Sequence, residues 1–176
     1  MFTISRGIDI HFAHHIRGHD GACIHIHGHT WRFEVVVAAE TLDAQGFVVD
    51  FKRLTVEVLG PAHRLLDHAL AMGRQTFEEI GPYLVPLGEG LLASRAEVHP
   101  ARAFAPETGE SLHGAENRYP GGLKIATFEF SPTSERLAQW LWGLAHARLA
   151  DERVKVVLGR IYETMHPVES VAEYRP

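Results

Sequence analysis

A single cysteine, Cys23, stands among the 176 residues. No internal disulfide is possible, and a reducing compartment is expected. No apolar run approaches the roughly 18–20 residues that a membrane-spanning helix needs. The start of the chain, from Met1 to Arg6, lacks the basic start and long apolar stretch of a secretory signal. Positive charge is also short. There are 17 Lys/Arg against 22 Asp/Glu, a formal charge of −5, and the basic residues form no patch. Nucleic acid, which selects for a basic face, is therefore not an expected partner. Repeats and heptads are absent as well. With 45% hydrophobic and 22% charged residues the chain is ordinary for a globular protein. Its length suits a single domain over residues 1–176 and is too short for two well-cored ones. A cytoplasmic protein that neither enters nor binds a membrane is the expectation.

Histidine is the residue in excess. Of the 13, seven fall between positions 11 and 29: His11, His14, His15, His19, His25, His27 and His29. Protonating all 13 would carry the net charge from −5 to +8.

Periodicity places these residues on strands, apart from His19 in a Gly- and Asp-rich turn over Arg17 to Gly21. Residues 2–16 read as one strand and about 24–39 as a second, whose stretch from Trp31 to Val37 is β-branched and aromatic. Gly46 to Asp50 reads as a short third strand, with Asp50 capping a helix that starts at Phe51. That helix is expected to break at Gly60-Pro61 and to resume over Ala62 to His68. Between Ala69 and Gly122 the signal weakens: Gln75 to Ile80 suggests one helical turn, and Tyr83 to Leu92 an extended segment. The stretch of about 71–122 reads as an insertion, because structureless loops of this length are uncommon inside compact domains. A strand over Leu123 to Phe130 leads to a helix, with Ser131 as cap and Pro132 as first helical residue. Leu137, Trp140, Leu141, Leu144 and Ala145 share one face of that helix. A last strand covers Val154 to Thr164. The order is that of an α+β fold.

Neutral imidazole is the commonest zinc ligand, and catalytic zinc sites use three protein ligands and leave one position open. His27 and His29, two apart on a strand, point to one face, and Gly28 adds no bulk opposite. A third histidine has to come from the neighbouring strand, which ends near His15. Parity leaves His11 and His25 as competitors. Cys23 shares the His27/His29 face if the strand is regular, so it is either a fourth ligand or a thiolate beside an open cation, where its pKa falls and its basicity becomes useful. Asp67-His68 is a second unit, since a carboxylate raises the basicity of an adjacent imidazole and makes a proton relay.

Six segments carry a resemblance: Ala13-His14-His15; Cys23 through His29; Gly46 through Phe51; Leu66-Asp67-His68; Pro132-Thr133-Ser134-Glu135; and Glu163-Thr164. Taken in order, they resemble the 6-pyruvoyl-tetrahydropterin synthase and 6-carboxytetrahydropterin synthase family over about residues 5–70 and 123–174. The resemblance implies a T-fold: a four-stranded antiparallel sheet with two helices on one face, assembled into an oligomeric barrel, commonly a hexamer with shared active sites. It implies zinc held by His15, His27 and His29, with His14 standing where the family usually has a small residue. It implies Cys23 as catalytic base and Asp67 and His68 as a relay reaching that thiol from a neighbouring subunit. Glu163 is implied as the anchor of the pterin edge, with Thr133 and Ser134 lining the pocket. Three residues separate Cys23 from His27, as in the carboxy-forming branch. That branch converts 7,8-dihydroneopterin triphosphate to 6-carboxy-5,6,7,8-tetrahydropterin, acetaldehyde and triphosphate on the route to queuosine. Alternatives are 6-pyruvoyl-tetrahydropterin formation and a non-catalytic zinc- or pterin-binding homologue.

Overall fold

The computed structural model describes residues 1–98 and 109–176. Its frame is a long hairpin. Strands β1 (Phe2–His14) and β2 (His27–Ala39) pair antiparallel without interruption, from Phe2↔Ala39 to His14↔His27. β7 (Val154–Thr164) pairs antiparallel with β2, and β8 (Ser170–Tyr174) with β7, which gives the four-stranded antiparallel block β1-β2-β7-β8. β8 had no counterpart in the sequence reading. On the other side β3 (Leu70–Gly73) runs parallel to β1, and β6 (Ile125–Phe128) parallel to β3. The short strands β5 (Ala115–Arg118) and β4 (Ser111–Leu112) then complete an eight-stranded mixed sheet among the described residues.

Alternation divides the two faces of the hairpin. Ile10, Phe12, Trp31, Phe33, Val35 and Val37 are buried together, whereas Asp9 pairs with Arg32 and Glu34 with Arg160, each at 2.7 Å, on the opposite face. Two helical segments cover the apolar face. The first is α-helical over Phe51–Arg53 (α1), π-helical over Leu54–Leu59 and α-helical again over Gly60–Leu66 (α2). The second, α4 (Ser134–Leu149), buries Leu137, Trp140, Leu141, Leu144 and Ala145, the face expected from their spacing.

The expected break at Gly60-Pro61 does not occur. A proline ring clashes with the carbonyl four residues back and donates no N–H. The π-helical turn relieves that crowding: Gly60 N–H reaches Thr55 O, five residues back. A Cβ at Gly60 would lie 2.8 Å from the same oxygen, so the turn requires glycine.

Four further expectations are corrected. Gly46 to Asp50 forms a turn rather than a strand, because the Asp43 carboxylate accepts from the N–H groups of Gln45 and Phe47, both at 2.9 Å. The second strand begins at His27, after a 3₁₀ turn over Ala22–Ile24, rather than near residue 24. The cap of α4 is Thr133, whose hydroxyl accepts from Arg136 N–H, and not Ser131. Finally, Gln75 to Ile80 and Tyr83 to Leu92 belong to one helix, α3 (Arg74–Val98), which passes through Pro82 and Pro86. Both prolines sit on the solvent side, where water can bond the carbonyls they leave free. Gly81 and Gly88 face inward, and a Cβ at Gly88 would overlap the carbonyl of Pro120. Residues 99–108, part of the stretch expected to be an insertion, lie outside the described residues. No helix among the described residues is long and apolar enough to cross a membrane.

Candidate metal centre and adjoining pocket

The strand register that buries Ile10 and Phe12 also carries His14 onto the apolar face. There it lies opposite His27, and Phe12 lies opposite His29. The open end of the hairpin thus closes its core with three imidazoles. His14 is 1% exposed and meets Trp31 edge-to-face, with ring centroids 4.9 Å apart. Glu163, near the end of β7, joins them. Among the described residues His14, His27, His29 and Glu163 form the group suited to a metal ion, with their ligand atoms within 4.8 Å of one another.

Hydrogen bonds fix which nitrogens face inward. His14 Nδ1 lies 3.0 Å from the carbonyl of Pro132, and His27 Nδ1 lies 2.8 Å from that of His25. A carbonyl only accepts, so each Nδ1 is the protonated nitrogen and each Nε2 is left with a lone pair. Those two Nε2 atoms are 3.0 Å apart. The third, His29 Nε2, is buried without a hydrogen-bond partner among the described residues. Glu163 Oε1 stands 3.5 Å from His14 Nε2 and 3.6 Å from His29 Nε2. Converging lone pairs beside a carboxylate repel one another unless a cation lies between them. Zinc–nitrogen bonds of about 2.0–2.1 Å in a tetrahedron put ligand atoms roughly 3.3 Å apart, and the separations of 3.0, 3.5 and 3.6 Å lie close to that. The carbonyls of Pro132 and His25 supply the outer contacts that orient metal-binding imidazoles. Burial lowers the pKa of both His14 and His29, against the pull of Glu163, and so favours the neutral, ligating form.

His15, the histidine the resemblance implied, is outside this group. It follows the last strand residue, and alternation turns it away from His14. Its Nδ1 instead donates to Ile24 O at 2.6 Å, and Ile16 N–H donates to Cys23 O at 3.0 Å. His15 therefore braces the 3₁₀ turn that carries Cys23. His11 is excluded by the same parity: it faces Thr30 on the polar side of the sheet. His25 precedes β2 and contributes its carbonyl.

Beside the imidazoles lies a cavity of about 300 Å³ lined by His14, His19, Cys23, Thr133, Ser134 and Glu163, among others. The cysteine, the two residues at the start of α4 and the glutamate therefore meet at one site, adjoining the metal-suited group. Ser134 Oγ donates to Glu163 Oε2 at 2.8 Å and orients the carboxylate. The loop between Phe128 and α4 links both parts, because Pro132 holds His14 while Thr133 and Ser134 line the cavity.

Asp67 and His68 are not brought to this cavity. They follow α2, where His68 is 82% exposed and adopts φ 59°. Asp67 Oδ2 accepts from His68 Nδ1 at 2.8 Å, while Oδ1 accepts from His11 N–H at 3.3 Å. Burial raises the Asp67 pKa, but these hydrogen bonds, with His63 nearby, outweigh it and keep the carboxylate ionised. The pair is a formed Asp–imidazole dyad turned outward. Two contributors were missed in the sequence: His14 as a member of the cluster and the Pro132 carbonyl as its support. The alternation Ile10, Phe12, His14 was the available signal for the first, and none existed for the second.

A family model described as 6-pyruvoyl tetrahydropterin synthase matches residues 3–176. The 6-carboxy-5,6,7,8-tetrahydropterin synthase of Bacillus subtilis is 35% identical over 89 residues, 50% of this chain and 58% of that protein. Its namesake from Rickettsia bellii is 35% identical over 81 residues, 46% of this chain and 58% of that protein. The namesake from Aquifex aeolicus is 27% identical over 157 residues, 87% and 75% of the two chains. The match thus spans less than two-thirds of the first two relatives' length. Among solved structures, an uncharacterized protein from Wolinella succinogenes superposes with a TM-score of 0.66 at 22% identity, covering 99% and 97% of the two chains. The Caenorhabditis elegans 6-pyruvoyl tetrahydropterin synthase gives 0.56 at 15% identity, covering 99% and 95%. These likenesses establish the fold as the α+β T-fold.

Proposed function

The chain belongs to the 6-pyruvoyl tetrahydropterin synthase family, and from that premise we propose that it is a cytoplasmic zinc-dependent lyase. Its substrate is 7,8-dihydroneopterin triphosphate, and its products are 6-carboxy-5,6,7,8-tetrahydropterin, acetaldehyde and triphosphate, on the route to queuosine. The observation that carries this reading is the shared cavity in which Cys23, Thr133, Ser134 and Glu163 meet beside the imidazole cluster. The names of the curated relatives favour the carboxy product over the pyruvoyl one.

In this reading His14, His27 and His29 hold the zinc, with His14 taking the place the resemblance gave to His15. When bound, the metal supplies a Lewis acid for the hydroxyls of the substrate's side chain. Glu163, oriented by Ser134, accepts the paired N–H edge of the pterin ring, and Thr133 borders the ring. Cys23 as thiolate removes a proton from the side chain. The outward Asp67–His68 dyad serves the Cys23 of a neighbouring copy, so the active site is shared within a homo-oligomer, by resemblance a hexamer. Asp67 fixes the tautomer and orientation of the imidazole, and His68 takes up and returns the proton.

The test is incubation of zinc-loaded protein with dihydroneopterin triphosphate, with acetaldehyde, triphosphate and pterin products measured. Acetaldehyde release that disappears in Cys23→Ala is the expected result. A pyruvoyl product would reassign the branch, and a zinc-loaded oligomer that turns over none of this substrate would sink the proposal.

A further inference from the structure

His19 has no part in the chemistry above, yet it lines the Cys23 cavity. It is not a freely rotating loop side chain. Gly21 N–H donates to His19 Nδ1 at 2.8 Å, so the ring is folded back on its own turn. An ideal Cβ at Gly21 would lie 2.8 Å from His19 Cε1, so the glycine is what allows the ring to rest there. Because Nδ1 accepts, the neutral ring carries its proton on Nε2. Nε2–H is thus the ring's donor, without a partner among the described residues, on a side chain that lines the cavity. Arg17, the cation on the same loop, is engaged with Glu79 of α3.

The lining chemistry defines what that donor meets. Glu135 and Glu163 line the cavity, and no Lys or Arg among the described residues does. A phosphate chain is therefore disfavoured inside, and a neutral, oxygen-bearing group is favoured. The cavity also has two sources: Thr133, Ser134 and Glu163 come from the start of α4 and from β7, while Cys23 and His19 come from the loop joining β1 to β2. A ring anchored at Glu163 sends its substituent towards the loop.

We infer that His19 is a positioning residue that donates Nε2–H to a hydroxyl of the ring substituent, selecting hydroxylated over plain alkyl pterins. The inference rests on the proposed pterin site. It is tested by equilibrium binding to the zinc-loaded protein with two probes, 7,8-dihydroneopterin and 6-methyl-7,8-dihydropterin, the second lacking side-chain hydroxyls. His19→Ala is expected to weaken dihydroneopterin about tenfold, the loss of one hydrogen bond, and to leave the methyl compound unchanged. His19→Gln, whose amide can replace the donor, restores most of the binding. Gly21→Ala, which displaces the ring, weakens dihydroneopterin as His19→Ala does. Equal weakening of both probes in His19→Ala, or of neither, overturns the inference while leaving the pterin site intact. If the parent protein binds neither probe, the site reading itself fails and the inference falls with it.

Discussion

Replacing His14 with alanine removes one of three converging imidazole nitrogens, whereas the same change at His15 removes only a brace on the Cys23 turn. Closed four-ligand zinc sites are worth about 10–16 kcal/mol, so a single ligand carries about 3–4 kcal/mol, or 10²–10³-fold in affinity at about 1.4 kcal/mol per decade. His14→Ala should lower zinc affinity by that factor, and more when His29 Nε2 and Glu163 are left facing an unfilled corner. His15→Ala forfeits one solvent-exposed hydrogen bond to Ile24 O, about 1 kcal/mol of local order, and should leave the zinc Kd within about threefold. The assay is competition with a chromophoric chelator, followed by metal analysis after dialysis. Retention of zinc by His14→Ala together with its loss from His15→Ala would refute the register argument and restore the ligand set implied by resemblance.

Other consequences are equally direct. In metal-stripped protein, burial keeps His14 and His29 neutral, while in the unfolded chain histidine takes up its proton near about pH 6.5. Their contribution to stability is therefore full above that pH and is lost as pH falls towards the lowered values. Tm of the stripped protein should drop between pH 7 and 5, and a rise on acidification would contradict the burial of these rings. Gly60→Ala places a Cβ 2.8 Å from Thr55 O and should cost about 1–3 kcal/mol; denaturant unfolding with an unchanged midpoint would show that the π-turn does not need glycine. Ser134→Ala frees the Glu163 carboxylate and should raise KM about tenfold with little change in kcat; steady-state kinetics with a reduced kcat and an unchanged KM would refute an anchoring role. Asp67→Asn leaves a dyad that cannot hold the His68 imidazolium, and should lower kcat at least about 10²-fold without altering zinc content; an undiminished kcat would remove the dyad from the mechanism.

The sequence alone determined the elements that local chemistry specifies. The β-branched run of β2, the Asp50 cap, the helical spacing of Leu137 to Ala145 and the His-x-His pair at 27 and 29 each encode their geometry in neighbouring residues. Short motifs singled out Cys23, Thr133, Ser134 and Glu163, and one cavity brings these four together. The tertiary structure decided what depends on alignment between distant segments. Two adjacent histidines point to opposite faces, and the pairing of His14 with His27 decides which one the core face carries to the cluster. The support of His14 by Pro132, 118 residues away, has no local signature. The long helix α3 was unreadable because its prolines are tolerated only where their freed carbonyls meet water, and because Gly88 is needed where the helix meets the Pro120–Gly122 turn. Most of all, the sequence could pair Asp67 with His68 but not say where they face. The packing of α2 against β1 turns them outward, because their positions are set by strand pairing and helix packing rather than by spacing along the chain.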